Sequence, residues 1–326
     1  MKNSTFSGFF KLSTAQRLAE VQEFANLSEE DLKKISDPNS LDVDTADHMI
    51  ENVIGRYSLP MAVALNFLIN GKDYLIPMVS EEASVVAAAS NAAKMARPGG
   101  GFTTSYTGSI MISQVQLTDV PDPNNARIAI LENRKKIIDI CNEKDPVLVQ
   151  YGGGATDVEV RVIDSAQGPM VIVHLLVNTL DAMGANAVNT MAEAVAPYLA
   201  ELTGGLPDLR ILSNLADKRL ARARCVISKE AIGGEDVVDK VLIAYAFAAA
   251  DPYRAATHNK GIMNGLSAAV LATGNDTRAI ESGAHAYAAR SGQYSPLTTW
   301  EKSVSGDLVG TIELPIAVGL VGGANK

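Results

Sequence analysis

Apolar residues recur at helical intervals through Leu18, Val21 and Phe24, and the Ser13-to-Gln16 spacing ahead of them predicts a capping box. Ser28 and Asp31 repeat that signal before Leu32 and Ile35, so two short N-terminal helices are expected. The runs MAVALNFLI (61–69) and KDYLIPMV (72–79) flank Asn70-Gly71, a pair suited to a tight turn, and predict a β-hairpin. An alanine-rich helix is predicted over 81–96, stopped by Pro98 and the glycines at 99 to 101.

The middle third has its own rhythm. Residues 109–117 read as a strand and 122–143 as a helix. Two strands follow, 156–163 and 169–177, then a helix over 185–202 that contains Pro197, then a strand at 209–214. This β-α-β-β-α-β order is the split βαβ pattern. The expected fold is therefore α+β: a large mixed α/β domain, 1–108 with 215–326, and an inserted small ferredoxin-like domain, 109–214. Beyond the insertion, 222–228 reads as a strand and 236–250 as an apolar helix. Gly265, Gly274 and Gly283 punctuate further helical segments, and the polar stretch 251–265 reads as turn-like.

Of the 326 residues 47% are hydrophobic, enough for a sizeable core, and the length suggests two domains. A net charge of −9 argues against a nucleic-acid partner, although a local basic pocket for a polyanionic cofactor stays open. No window approaches a membrane span or a signal peptide, so a cytoplasmic location is expected. Cys141 and Cys225 lie in apolar settings and read as buried thiols.

Several residues have two readings. Glu81 and Glu82 are either acids at the positive end of a helix or a proton-donating carboxyl set beside apolar residues. Lys260 is either solvated or an ammonium held against a developing oxyanion. Asp276 is either a helix N-cap or a carboxylate bridging a lysine and a glutamate. No GxGxxG follows a strand, which excludes a Rossmann signature; Gly184 at a helix start offers backbone N–H groups to a pyrophosphate instead. The glycine runs at 99 and 152 read as flexible turns. His174 and His285 are not spaced as metal ligands, and no metal is expected.

Seven separated blocks then come into play: ENVIG (51–55), EEASVVAAAS (81–90), DAMGANAVNTMAEAV (181–195), ILSNLADKR (211–219), PYRAATHNKGIMNG (252–265), ATGND (272–276) and VGLVGGANK (318–326). Together they resemble class II 3-hydroxy-3-methylglutaryl-coenzyme A (HMG-CoA) reductase. The resemblance implies an NAD(P)H-dependent, four-electron reduction of HMG-CoA to mevalonate and coenzyme A. It places catalysis on Lys260 (oxyanion), Glu82 (proton supply) and Asp276 (tying the two together). Ser84, Arg254, Asn214 and Asn264 match substrate-holding positions, with Gly261 letting the chain turn past substrate. Asp181, Met183, Gly184, Ala185 and Asn186 match the nicotinamide cofactor segment of a small, non-Rossmann domain. Asp145 matches an adenine-ribose position, where a carboxylate would repel a 2′-phosphate and favour NADH over NADPH.

The resemblance also implies a homodimer or an assembly of dimers, with sites between subunits and ENVIG in the shared region. It implies a further C-terminal lid whose histidine protonates the departing thiolate; none of His48, His174, His258 and His285 lies in such a segment. Two expectations follow: an active reductase whose tail is outside this sequence, or a tail-less, catalytically incomplete HMG-CoA- and NAD-binding homologue.

Overall fold

A computed structural model describes residues 3–320 of the chain, so the last six residues of the VGLVGGANK block lie outside the described residues. Helices α1 (Thr14–Ala25) and α2 (Glu29–Ser36) both begin at the expected capping boxes, in which side chain and backbone of Ser13 with Gln16, and of Ser28 with Asp31, bond reciprocally. After α3 (Val43–Asp47) the hairpin strands β1 (Met61–Ile69) and β2 (Lys72–Val79) turn at Asn70 and Gly71, both at positive φ (49° and 77°).

Helix α4 (Val85–Ala96) begins later than its composition predicts. Ser84 sits at its N-cap in the left-handed region, φ 73°, and this places Glu81 and Glu82 in the turn ahead of the helix rather than in its first turn. The glycines that follow are not a flexible turn. A Cβ on Gly99 would lie 2.1 Å from the Val226 carbonyl oxygen, and one on Gly101 2.2 Å from that of Leu68. Only glycine lets the backbone pass so close to two neighbouring segments. Strand β3 (Phe102–Tyr106) then runs parallel to β1, with the Phe67 and Phe102 rings stacked at 5.5 Å.

The chain next builds a second sheet from β4 (Ile110–Thr118), helices α5 (Pro123–Glu132), α6 (Arg134–Asn142) and α7 (Pro146–Gln150), strands β5 (Gly154–Ser165) and β6 (Gly168–Asn178), helix α8 (Ala185–Thr203) and strand β7 (Leu206–Leu212). Its strand order is β5-β6-β4-β7, antiparallel throughout. The single helix expected over 122–143 breaks at Asn133, whose amide donates to the Ala129 carbonyl at 2.9 Å and accepts from the Tyr198 hydroxyl at 2.8 Å. Helices α5, α6 and α8 bury one apolar face, including Ile130, Ile137, Met191 and Leu199, against Val115, Val173 and Leu175 of the sheet. Cys141 lies in this core as a free thiol, and burial pushes it up to about 12.

Strand β8 (Leu220–Ile227) returns to the first sheet, followed by α9 (Lys229–Ile232), α10 (Glu235–Ala250), α11 (Pro252–Ala272), α12 (Thr277–Ala288), β9 (Thr298–Lys302) and β10 (Leu308–Pro315), giving the order β2-β1-β3-β8-β10-β9. The segment 251–265, which reads as turn-like in sequence, is instead the first two-thirds of the 21-residue helix α11. Asp251 caps it by accepting from the backbone of Tyr253 and Arg254, and Pro252 occupies the first turn, where it needs no N–H partner. The buried Asn259 amide donates to the Ser295 carbonyl and accepts from Leu297 N–H, both at 2.9 Å, which moors the helix to the loop before β9. Among the described residues no helix is long and apolar enough to cross a membrane.

The N-terminal segment is held to the hairpin by one polar cluster. Asp73 accepts from the backbone and hydroxyl of Ser4 (2.8 and 2.6 Å) and pairs with Arg97 at 2.7 Å, with both charged side chains largely buried. Desolvation alone would push the Asp73 carboxyl up, but the hydrogen bonds from Arg97 and Ser4, with the Arg97 charge, together outweigh it and hold the pKa at about 2 against an ordinary 3.8. A folded-state pKa below the unfolded one means that the stabilisation is present above pH 4 and is lost as pH falls from there toward 2. We expect Asp73→Asn to remove about 2 kcal/mol at neutral pH and to flatten the acid limb of stability. Denaturant titrations of both proteins at pH 7 and pH 3 check this; an unchanged difference between the two pH values would refute it.

Candidate active site

The turn between β2 and α4 and the middle of α11, 178 residues apart in sequence, meet at one ion pair: Lys260 Nζ lies 2.6 Å from Glu82 Oε2. Asn264, one helical turn beyond Lys260, donates from Nδ2 to the other carboxylate oxygen, Glu82 Oε1, at 3.3 Å. Lysine and glutamate side chains are 59% and 46% exposed, and a pair so open to water contributes little to stability. Its value is chemical: the ammonium has three N–H donors, only one of which Glu82 occupies. The pair borders a cavity of about 620 Å³ between α11, α12 and the 79–82 turn.

Also on the cavity lining, Ser267 of α11 donates to Glu281 Oε1 of α12 at 2.5 Å, His285 Nε2 lies 3.1 Å from Glu281 Oε2, and His285 Nδ1 lies 2.8 Å from the Tyr294 hydroxyl. Sequence reasoning missed Ser267 and Glu281 as cavity residues and treated His285 only as a poor metal ligand. The signal available was helical spacing: Lys260, Asn264 and Ser267 recur at i, i+4 and i+7 and share one face of α11.

The other expected substrate and catalytic residues are placed unevenly. Asp276 does not bridge Lys260 and Glu82: its carboxylate caps α12, accepting from Arg278 and Ala279 N–H (2.9 and 3.2 Å), and pairs with the Arg278 side chain at 3.0 Å. Four N-terminal N–H groups of a helix need acceptors, and the nearest carboxylate supplies one. Ser84 lies two residues from Glu82, in its left-handed conformation. Arg254 is six residues before Lys260 on the same helix, about 120° around its axis, and so off the Lys260 face. Asn214 precedes β8 and packs on α12, where a Cβ on Gly283 would lie 2.4 Å from its carbonyl oxygen. Gly261 is inside α11 with no atom within 4 Å of an added Cβ, so it neither makes a turn nor relieves a close contact within this chain.

The 179–184 loop joins β6 to α8. Gly184, at φ 96°, is the N-cap of α8 and supplies no side-chain cap, so the first N–H groups of a 19-residue helix stay available to an anion. Ala185 and Asn186 open that helix, and Asp181 and Met183 lie in the loop before it. Asp145 caps α7 through the Leu148 N–H at 2.9 Å. The 152–154 glycines bring the end of α7 against this loop. Gly154 pairs with Asn178 in the sheet, and a Cβ on Gly153 would be 2.7 Å from the Asn178 carbonyl oxygen, so this run is a close-packed crossing rather than a flexible turn. The residues that follow α7 and the start of the 179–184 loop thus lie at the same end of the second sheet.

His174 sits on that sheet, where Arg161 donates to its Nε2 at 3.0 Å and the Gln114 amide lies 2.9 Å from the same atom. Burial first, then the Arg161 charge, hold its pKa below the usual value. Among the described residues, no group of three or more His, Cys, Asp or Glu side chains could hold a metal ion.

A family model described as hydroxymethylglutaryl-coenzyme A reductase matches residues 13–326. The chain is 60% identical to the 3-hydroxy-3-methylglutaryl-coenzyme A reductase of Archaeoglobus fulgidus, over 99% of this chain and 74% of that one. It is 34% identical to a probable reductase of the same name from Borreliella burgdorferi, over 99% and 75% of the two chains. In structure it is similar to the class II 3-hydroxy-3-methylglutaryl-CoA reductase of Streptococcus pneumoniae bound to NADPH, with a TM-score of 0.94, 41% identity, and coverage of 98% of this chain and 88% of that one.

Proposed function

For a chain that belongs to the class II hydroxymethylglutaryl-coenzyme A reductase family, we propose that the Glu82–Lys260 pair is the centre at which HMG-CoA is reduced to mevalonate. The activity is the NAD(P)H-dependent, four-electron conversion of the thioester to a primary alcohol with release of coenzyme A. The observation that carries the assignment of residues is the 2.6 Å contact between Lys260 and Glu82 on the wall of a substrate-sized cavity.

A reduced nicotinamide supplies hydride when bound. The protein's own groups do the rest. Hydride addition to the thioester carbonyl carbon leaves negative charge on the oxygen, and the free N–H donors of Lys260 stabilise it. Collapse of that adduct releases the thiolate and leaves an aldehyde. When the aldehyde is reduced in turn, the alkoxide takes its proton from the Lys260–Glu82 pair, with Asn264 holding the carboxylate in place. Ser84, Asn214 and Arg254 hold the substrate's carboxylate and hydroxyl, for which the arginine fork is suited. Asp276 orients α12 beside the pair.

The segment 109–214 is read as the cofactor domain. Its strand order, β5-β6-β4-β7 with all neighbours antiparallel and three helices on one face, supports a ferredoxin-like arrangement. Asp181, Met183, Gly184, Ala185 and Asn186 would hold the pyrophosphate and nicotinamide at the α8 N-terminus, and Asp145 the adenine ribose. The pneumococcal neighbour was bound to NADPH; for this chain the Asp145 carboxylate favours NADH. A homodimer is inferred from the run around ENVIG, where Met49, Ile50, Ile54 and Tyr57 are all exposed.

Oxidation of NADH in the presence of HMG-CoA, with mevaldehyde in parallel, tests the function: turnover on both is expected, and none on either would overturn it. Asp145→Ser keeps the α7 cap, because serine also caps well, but removes the negative charge. We expect it to raise kcat/KM for NADPH relative to NADH at least about tenfold. An unchanged ratio would remove Asp145 from the ribose site.

A further inference from the structure

Arg219 is 8% exposed, yet no carboxylate of the described residues pairs with it. Its Nη1 donates to Thr179 Oγ1 at 3.0 Å, the Ala182 carbonyl at 3.1 Å and the Met183 carbonyl at 3.3 Å, and its Nη2 donates to the Val318 carbonyl at 2.5 Å. One guanidinium thus ties the 179–183 loop, in front of α8, to the segment 316–320 that follows β10. Burying a charge that only neutral oxygens satisfy costs stability relative to an apolar core, so this arrangement asks for a reason other than packing.

The 316–320 segment is fastened at both ends. Ile316 N–H donates to the Arg219 carbonyl at 3.1 Å and Leu320 N–H to the Asp181 carbonyl at 2.7 Å. Gly319 comes so close to the loop that an added Cβ would lie 2.6 Å from Met183 N. On its other side Gly319 N–H donates to Asn275 Oδ1 at 2.8 Å, and Asn275 Nδ2 donates back to the Gly319 carbonyl at 3.3 Å. Asn275 immediately precedes Asp276, the cap of the helix that carries Glu281 and His285 on the wall of the Lys260 cavity.

We propose that Arg219 is a positioning residue for the hydride step: it locks the 179–184 loop to the 316–320 segment, and through Asn275 to α12, so that the nicotinamide is presented to the Lys260 cavity at a fixed place. The proposal rests on the reading of residues 181–186 as the cofactor segment. Its charge also lies behind the loop at which the cofactor's phosphates would sit, adding a buried positive potential to that of the helix terminus. Lysine cannot reproduce the lock, because a single ammonium lacks the planar fork that reaches acceptors on both sides.

The test uses Arg219→Lys, Asn275→Ala and, as a control inside the loop, Asn186→Asp. The last places a negative charge in the first turn of α8, which favours the helix but repels a pyrophosphate. Dissociation constants for NADH are measured by its fluorescence on binding, beside KM for HMG-CoA, kcat and thermal unfolding. All three variants are expected to fold. Arg219→Lys should raise the NADH dissociation constant about tenfold and lower kcat, with KM for HMG-CoA within about twofold; Asn275→Ala should lower kcat with a smaller loss of NADH affinity. If Asn186→Asp weakens NADH while Arg219→Lys and Asn275→Ala leave its affinity and kcat unchanged, the positioning role is wrong. If Arg219→Lys weakens NADH and HMG-CoA equally, Arg219 is merely structural. If Asn186→Asp leaves NADH binding intact, the cofactor-loop reading falls first and the proposal with it.

Discussion

Lys260→Met is expected to lower kcat for HMG-CoA reduction about 10³-fold, equivalent to about 4 kcal/mol of transition-state stabilisation. Three features separate this loss from a folding defect. The lysine is in the interior of α11, where methionine has nearly the same helix propensity. Its ion pair with Glu82 is half-exposed, so its removal changes stability by less than about 1 kcal/mol. The segment proposed to hold the cofactor, 181–186, lies in the loop before α8 and in the first turn of that helix, not on α11, and NADH affinity should therefore stay within about twofold while kcat collapses. Arginine should not restore the rate. Its guanidinium is larger and fixes its donors in a plane, whereas the compact Lys260 ammonium gives one hydrogen to Glu82 and can turn the others toward the oxyanion. Circular dichroism, NADH titration and single-turnover reduction of HMG-CoA decide it. A variant that folds and retains more than about a tenth of the wild-type kcat would show that Lys260 is not the group that meets the oxyanion.

Much of the local structure was legible because its causes are local. Ser13 with Gln16 and Ser28 with Asp31 carry their own capping partners, and Asn70-Gly71 carries its own turn geometry. The second sheet was legible from strand and helix spacing, although Asn133 splits a helix in a way that depends on Tyr198, 65 residues away. The polar stretch 251–265 misled because polar side chains read as turn, whereas Asp251 and Pro252 make it a helix start. The glycines at 99–101 and 152–154 misled for a related reason: what they accommodate is the backbone of Val226, Leu68 and Asn178, which only the fold brings near.

The same limit applies to the site. Glu82 and Lys260 could each be nominated by residue type, but their contact is a product of how α11 packs beside β2. Asp276 was given a bridging role that its capping bonds do not show in this chain. Arg219 was not singled out in the sequence, because nothing local to ILSNLADKR indicates that its guanidinium is buried against the 179–184 loop.

Glu82→Gln separates the two roles a carboxylate beside Lys260 can have. If Glu82 only holds the ammonium in place, the amide does nearly as well: glutamine is isosteric, its oxygen still accepts from Lys260, and activity on mevaldehyde would stay within about threefold. If Glu82 supplies the proton that quenches the alkoxide, glutamine cannot, because its amide does not release a proton in the working range. We expect the second outcome, a fall of about 10³-fold in kcat for mevaldehyde reduction, inside the range of general acid catalysis. Binding should be spared, since with the amide oxygen kept on Lys260 the Asn264 amide can turn so that its oxygen accepts from the new NH2 group, and Glu82 N–H still donates to the Ser80 hydroxyl at 3.1 Å. Glu82→Asp adds the complementary arm. It keeps an ionisable carboxyl but withdraws it by one methylene from a 2.6 Å contact, so a partial recovery above the glutamine variant is expected. Equal activity of the glutamine and wild-type proteins on mevaldehyde would leave Lys260 as the sole proton source, with Glu82 reduced to a tether.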